Sequence, residues 1–276
     1  MDVERPRIRM VAVDEDGTFV RPDNTFDRER FARIWDRMAE LGIRFAVATG
    51  NQHHQVRQVF GPEYAPCIGI AAQDGTYVAD GDEEVFVNDM DRELVAEVVA
   101  TLRSMGLGVH LCGARAGYVE GVRGGSDDPG VRLFDFIRMY YPRLQLTQDA
   151  LAVDDRITMM ATLVESEDRA KEVAALIEER LDGRVVACSS GDGCVDILVP
   201  GSSKADGLRH LAERWDIDPS EVIAFGNAYN DLEMIEWAGI GVMMGNAPSD
   251  LKARAQMVAP PCSEDGVLAV LEQLLW

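Results

Sequence analysis

The chain has 276 residues, 47% of them hydrophobic, and carries 27 basic against 48 acidic side chains for a formal net charge of −21. That length buries a sizeable core, in one large domain or two modest ones. The acid excess excludes the basic footprint needed by nucleic acid or an anionic membrane surface, and fits a solvated, self-repelling exterior.

From the start of the chain, "MDVERPRIRM" is charged and runs straight into an apolar stretch, so it does not read as a signal peptide. No apolar run approaches the ~20 residues needed to span a bilayer. A cytoplasmic location is expected. The five cysteines (Cys67, Cys112, Cys188, Cys194, Cys262) show no metal-like spacing and read as buried free thiols.

"RIRMVAV" reads as a strand, and "DRERFARIWDRMAEL" as an amphipathic helix with Phe31, Ile34, Trp35 and Met38 on one face. "IRFAVAT" is a second strand, "NQHHQVRQVF" a helix and "CIGIAA" a third strand. Strand and helix at such short intervals predict a parallel sheet covered by helices on both faces. From about 81 to 197 the texture changes. Helical stretches at 91–105 and 166–180 alternate with strand-like runs at 107–111, 117–122, 156–164, 184–188 and 194–199, and "GVRGGSDDPG" is a loop by composition. The first rhythm then returns: a helix over 203–215, the strand "EVIAFG", the helix "DLEMIEWA", the strand "GIGVMM" and two closing helices. The predicted fold class is therefore α/β. A doubly wound, mainly parallel sheet is built from 1–80 and 198–276, with an α/β domain of 81–197 inserted between its halves.

Ligands of a doubly wound sheet bind beyond the carboxyl ends of its strands. The residues there are Asp14 and Asp16, Thr49 and Gly50, Lys204 at the opening of a late helix, and Asn227, Asn230 and Asp231. Acids without basic neighbours suit a hard divalent cation such as Mg²⁺. A hydroxyl and an ammonium beside it suit a phosphate. A carboxylate facing that phosphate can act as nucleophile, and a second one two residues on can protonate the leaving oxygen and then activate water.

These residues carry a resemblance. "VDEDGT", "VATGN", "GSSKADGL" and "FGNAYNDLEMI" resemble, in order, the four motifs of the haloacid dehalogenase superfamily. "VMMGNAPSDLKARA" and "EDGVLAVL" resemble its Cof-type branch, which inserts a large α/β cap between the second and third motifs. The resemblance implies Mg²⁺-dependent hydrolysis of a small phosphorylated metabolite, often a sugar phosphate, with the cap closing over it. Asp14 would then be nucleophile and metal ligand, and Asp16 the general acid/base with its carbonyl on the metal. Thr49, Gly50 and Lys204 would hold the phosphoryl group. Asn227 and Asp231 would lie at the metal, Asp231 directly or through water, and Asn230 would hydrogen-bond near the nucleophile.

Three positions depart from the pattern. Asn51 stands where arginine is common, Asp74 where asparagine is usual, and Asn227 where the family places a metal-binding aspartate. The last lowers the charge of the metal site. It leaves open, beside hydrolysis, a catalytically weakened binding or regulatory protein, and the cap leaves open a phosphomutase. Outside the motifs, His53 and His54 sit on a helix's first turn, pointing at the site or lying partly exposed. Arg115, Arg123, Arg132 and Arg138 read either as clamps for an anionic substrate or as surface charges.

Overall fold

A computed structural model describes residues 7–121, 128–139, 141–191 and 193–276. Its contacts divide the chain into two compact units, Met1–Phe86 with Ser203–Trp276, and Val87–Ser202. The divisions fall at 86/87 and 202/203, later than the pattern of the sequence placed them, and the hairpin described next explains the first.

The first unit begins β1 (Met10–Val13), α1 (Arg28–Leu41), β2 (Arg44–Ala48), α2 (His53–Tyr64) and β3 (Gly69–Ala72). Asp27 caps α1 through its side chain, and Gly42 ends it in the left-handed region, the usual pairing of an acidic start and a glycine stop. After β3 come β4 (Tyr77–Asp80) and β5 (Glu83–Val87), which extend the same sheet. The sequence reading missed this pair, although Asp80-Gly81-Asp82 between two apolar runs is a hairpin signal.

The second unit contains α3 (Arg92–Ser104), β6 (His110–Gly113), β7 (Gly117–Glu120), α4 (Pro129–Ile137), β8 (Leu144–Thr147), β9 (Ile157–Leu163), α5 (Glu167–Arg180), β10 (Val186–Gly191) and β11 (Cys194–Leu198). Its sheet runs β10-β11-β9-β6-β7-β8, antiparallel apart from β7–β8. One apolar cluster joins Leu94, Val98 and Leu102 of α3 and Val173 and Ile177 of α5 to Leu111, Met160 and Ile197 of the sheet. A second joins Leu133 and Ile137 of α4 to Cys112, Val119 and Leu198. Neither α4 nor β8 was expected. The loop "GVRGGSDDPG" lies mostly outside the described residues, as does Arg123.

The chain then completes the first unit with α6 (Lys204–Arg214), β12 (Val222–Gly226), α7 (Leu232–Trp237), β13 (Ile240–Met244), α8 (Ser249–Lys252), β14 (Met257–Ala259) and α9 (Gly266–Leu275). Its eight strands run β14-β13-β12-β1-β2-β3-β4-β5, parallel as far as β3 and antiparallel from β3 to β4. β1 lies at its centre with every residue buried, as a strand covered on both faces should be. One face packs Leu208 and Leu211 of α6 with Met234 and Ile235 of α7. Phe19, Phe26, Phe31, Phe45 and Phe60 form a cluster, with Phe19 centroids 5.0–5.5 Å from the other four. Among the described residues, no helix is long and apolar enough to cross a membrane. The cysteine expectation is corrected in part: all five are free, but Cys67 and Cys188 are exposed.

His110 on β6 is fully buried, near Cys112 Sγ and edge-on to the Tyr141 ring. Burial pushes its imidazole down to about 3. An unfolded histidine titrates near ~6.5, so the neutral ring contributes stability that is present above that pH and lost as pH falls toward the folded value. We expect this group to cost up to about 1.4 kcal/mol of stability per pH unit below pH ~6. His110→Phe should remove that slope in urea unfolding across mildly acidic pH, and an unchanged slope would contradict the assignment.

Candidate active site

Asp14 is the first residue after β1, and its N–H donates to the Phe225 carbonyl on β12 at 2.9 Å. The chain then turns tightly: Phe19 N–H donates to the Asp14 carbonyl at 3.2 Å and Val20 N–H to that of Glu15 at 3.0 Å. Phe19, anchored in the aromatic cluster, holds the far side of this turn. A short polar segment is thereby pinned between a buried strand and a buried ring.

Lys204 opens α6 and is 3% exposed. Its ammonium donates to Asp14 Oδ1 at 2.7 Å and to Asp231 Oδ1 at 2.6 Å. A cation at a helix's N-terminal end opposes the helix dipole. Here two buried carboxylates offset that cost. The turn at Gly75 fixes where α6 starts: its φ is +83°, and a Cβ there would come within 2.1 Å of the Ser203 carbonyl oxygen. Burial opposes the charge on Lys204, but Asp14, Asp231 and Asp74 together push its ammonium above the ordinary lysine value. Burial also pushes Asp14 up to about 7, with Asp231 adding to the rise and Lys204 and Thr18 opposing it.

Asp231 is fully buried, and its second oxygen accepts from the backbone N–H groups of Asn227 and Ala228 at 2.8 and 2.9 Å. Gly226 permits this, since a Cβ there would lie 2.4 Å from Asp231 Cβ. Both oxygens are engaged by the lysine and the loop. In this arrangement Asp231 acts as an anchor for Lys204 and for the loop that follows β12.

Asn227 faces the end of β1, and its amide fits in two ways. With nitrogen inward it donates to Thr18 Oγ1 at 2.9 Å, Asp14 Oδ2 at 3.0 Å and the Asp16 carbonyl at 3.1 Å. With oxygen inward, Thr18 donates to it at 2.9 Å, and the oxygens of Asp14 and Asp16 converge on a third oxygen with nothing positive between them. One carboxylate, one carbonyl, one amide oxygen and a nearby hydroxyl form a donor set that fits a hard divalent cation. Among the described residues, no three His, Cys, Asp or Glu side chains are grouped to hold a metal, so this mixed set is the candidate centre.

Thr49 follows β2 and is buried, its hydroxyl accepting from Asn51 N–H at 3.1 Å. Gly50 beside it is half-buried. Asp16 is exposed, and its carboxylate accepts from Asn51 Nδ2 at 2.6 Å. Asn230 is also exposed and donates to Asp74 Oδ1 at 3.4 Å. Asp74 in turn interacts with Lys204, the residue that bonds Asp14. His53 is buried with its ring stacked on Tyr77 at 4.1 Å. Arg115 pairs with Asp155 and Arg138 with Asp135, while Arg132 is exposed.

Two acids of this neighbourhood escaped the sequence reading as site groups. Glu15 is 1% exposed between Asp14 and Asp16. Burial, then those two neighbours, pushes its carboxyl up to about 8 against hydrogen bonds from Asn51 and Thr49. Burial raises Asp74 as well, with Lys204 opposing and Asp231 adding. Glu15 is a signal that was available, since an acid in the middle of "DED" at the end of a buried strand has no apolar role.

Residues 11–271 match the family of haloacid dehalogenase-like hydrolases. A 5-amino-6-(5-phospho-D-ribitylamino)uracil phosphatase of Escherichia coli (strain K12) is 34% identical over 269 residues, covering 97% of this chain and 96% of that protein. An HMP-PP phosphatase of Cronobacter sakazakii is 26% identical, covering 89% and 87%. A crystal structure of a Streptococcus mutans UA159 protein superposes with a TM-score of 0.87 at 27% identity, covering 97% of this chain and 99% of that one.

Removing the ammonium strands two buried carboxylates. Lys204→Met, close in length, should cost roughly 3–5 kcal/mol in urea unfolding at neutral pH, the usual penalty for breaking a buried ion pair on one side. A loss below ~1 kcal/mol would show that Lys204 does not hold Asp14 and Asp231 together.

Proposed function

We infer that this chain, which belongs to the haloacid dehalogenase-like hydrolase family, is a phosphatase that hydrolyses a small phosphomonoester with Mg²⁺ through a phospho-aspartate on Asp14. The observation that carries this reading is the pairing of a buried carboxylate held by Lys204 with an exposed carboxylate, Asp16, two residues on. The buried group, stripped of water, is suited to attack phosphorus. The exposed one is suited to exchange protons with a leaving group and with water.

Asp14 Oδ1 or Oδ2 attacks phosphorus, and the bond to the leaving oxygen breaks as that oxygen takes a proton from Asp16. Asp16, now ionised, accepts a proton from a water that attacks the phosphoryl group, and the Asp14–phosphorus bond breaks to release inorganic phosphate. Lys204 and Thr49 bind the transferring oxygens, and Asp231 keeps Lys204 in place. Asp14, the Asp16 carbonyl and Asn227 would hold Mg²⁺, which supplies positive charge for the phosphate oxygens when bound. The unit Val87–Ser202 is read as the substrate-selecting insertion. A sugar-phosphate-like substrate is supported by the Escherichia coli relative, whose name specifies a 5-phospho-D-ribitylamino group.

A second reading, a binding protein with weakened chemistry, is favoured by Asn227, whose inward nitrogen bonds Asp14. Turnover separates the two. Against a panel of sugar phosphates with Mg²⁺, the native chain should release inorganic phosphate, and Asp14→Asn should fold normally and lose activity by on the order of 10³-fold or more. Undiminished hydrolysis by Asp14→Asn would contradict the nucleophile, and binding without turnover by the native chain would favour the second reading.

A further inference from the structure

Asn51 is bonded on every side. Its backbone N–H donates to Thr49 Oγ1 at 3.1 Å, and its carbonyl accepts from Gln73 N–H at 3.0 Å. Its side-chain nitrogen donates to Asp16 Oδ2 at 2.6 Å and to Glu15 Oε2 at 3.2 Å. Among the described residues this amide is the one hydrogen-bond donor recorded on the Asp16 side chain. With an acid on each N–H the amide is held in this orientation, because turning it over would set its oxygen against the Asp16 carboxylate. Glu15 is buried, so it grips the amide from a position that cannot swing into solvent. Asp14 and Asp16 on the same turn both act on the Glu15 carboxyl that this amide touches. Asp16, by contrast, is exposed, and an exposed carboxylate left to itself samples several rotamers.

Resting on the phosphatase reading, we propose that Asn51 is a positioning residue that holds the Asp16 carboxyl in its proton-donating orientation and ties it to the phosphate-binding turn at Thr49. The tie has a chemical consequence. Proton donation matters for a poor leaving group, such as an alkoxide, and little for one that departs readily as an anion. A residue acting through Asp16 therefore affects substrates unequally, whereas one that merely supports the fold affects them alike.

The test uses the full chain at saturating Mg²⁺, with glycerol 2-phosphate and p-nitrophenyl phosphate as substrates. Two variants are needed: Asn51→Ala, and the isosteric Asn51→Asp, which keeps the shape and loses the donor. Both should lower kcat/KM, which reports the steps through leaving-group departure and not the later water step that Asp16 also serves, by roughly 10–100-fold on glycerol 2-phosphate. On p-nitrophenyl phosphate the loss should stay below about threefold. In an Asp16→Asn background, Asn51→Ala should add no further loss, because the two residues act as one unit. Equal losses on the two substrates, or a full additional loss in the Asp16→Asn background, would overturn the assignment of Asn51 alone. Undiminished hydrolysis by Asp14→Asn would overturn both it and the reading on which it rests.

Discussion

One ammonium organises the catalytic end of the sheet. Lys204 reaches from the first residue of α6 to Asp14 at the end of β1 and to Asp231 beyond β12, with all three side chains buried. An isolated buried charge is costly, and a buried pair is tolerated only where its geometry and further hydrogen bonds are good. Those conditions reach far into the chain. The turn at Gly75 must let α6 approach, Gly226 must leave room for Asp231, and the loop amides of Asn227 and Ala228 must face the second Asp231 oxygen. Three segments distant in sequence meet because one ammonium needs two acids.

The ammonium does not balance the neighbourhood. Asp14, Glu15, Asp16, Asp74 and Asp231 supply five carboxyl groups around a single lysine, and burial pushes Asp14, Glu15 and Asp74 toward their neutral forms. A site so short of positive charge attracts a cation and phosphate-bound metal. Asn227 lines the place where that cation would lie and offers either end of its amide. With nitrogen inward it substitutes for the missing charge with hydrogen bonds to Asp14 and Asp16, and a cation would require the oxygen inward instead.

Much of this was legible in the sequence for physical reasons. Central parallel strands are buried on both faces, so β1, β2, β3, β12 and β13 appear as unbroken apolar runs, and the groups that follow each run converge at one edge. The edge hairpin β4–β5 was missed because β4 has only four residues and β5 is only partly covered, and β14 because three residues give no period. The hydrogen-bond partners of Asp231 and Asn230 were not legible, since spacing places a side chain near a site without saying which atoms it faces. Asn51 stands out in the sequence only as a departure from the family's arginine. Its bonds to Glu15 and Asp16 cross more than 30 residues of chain, and no periodicity encodes a contact of that kind.

The central claim is that the oxygens of Asp14, Asp16 and Asn227 form a cation site left weak by an uncharged amide. Calorimetric titration of Mg²⁺ into the native chain and into Asn227→Asp tests it most directly. The account predicts measurable binding to the native protein and at least about tenfold tighter binding to the variant, or ~1.4 kcal/mol. Equal affinities, or binding to neither, would contradict it.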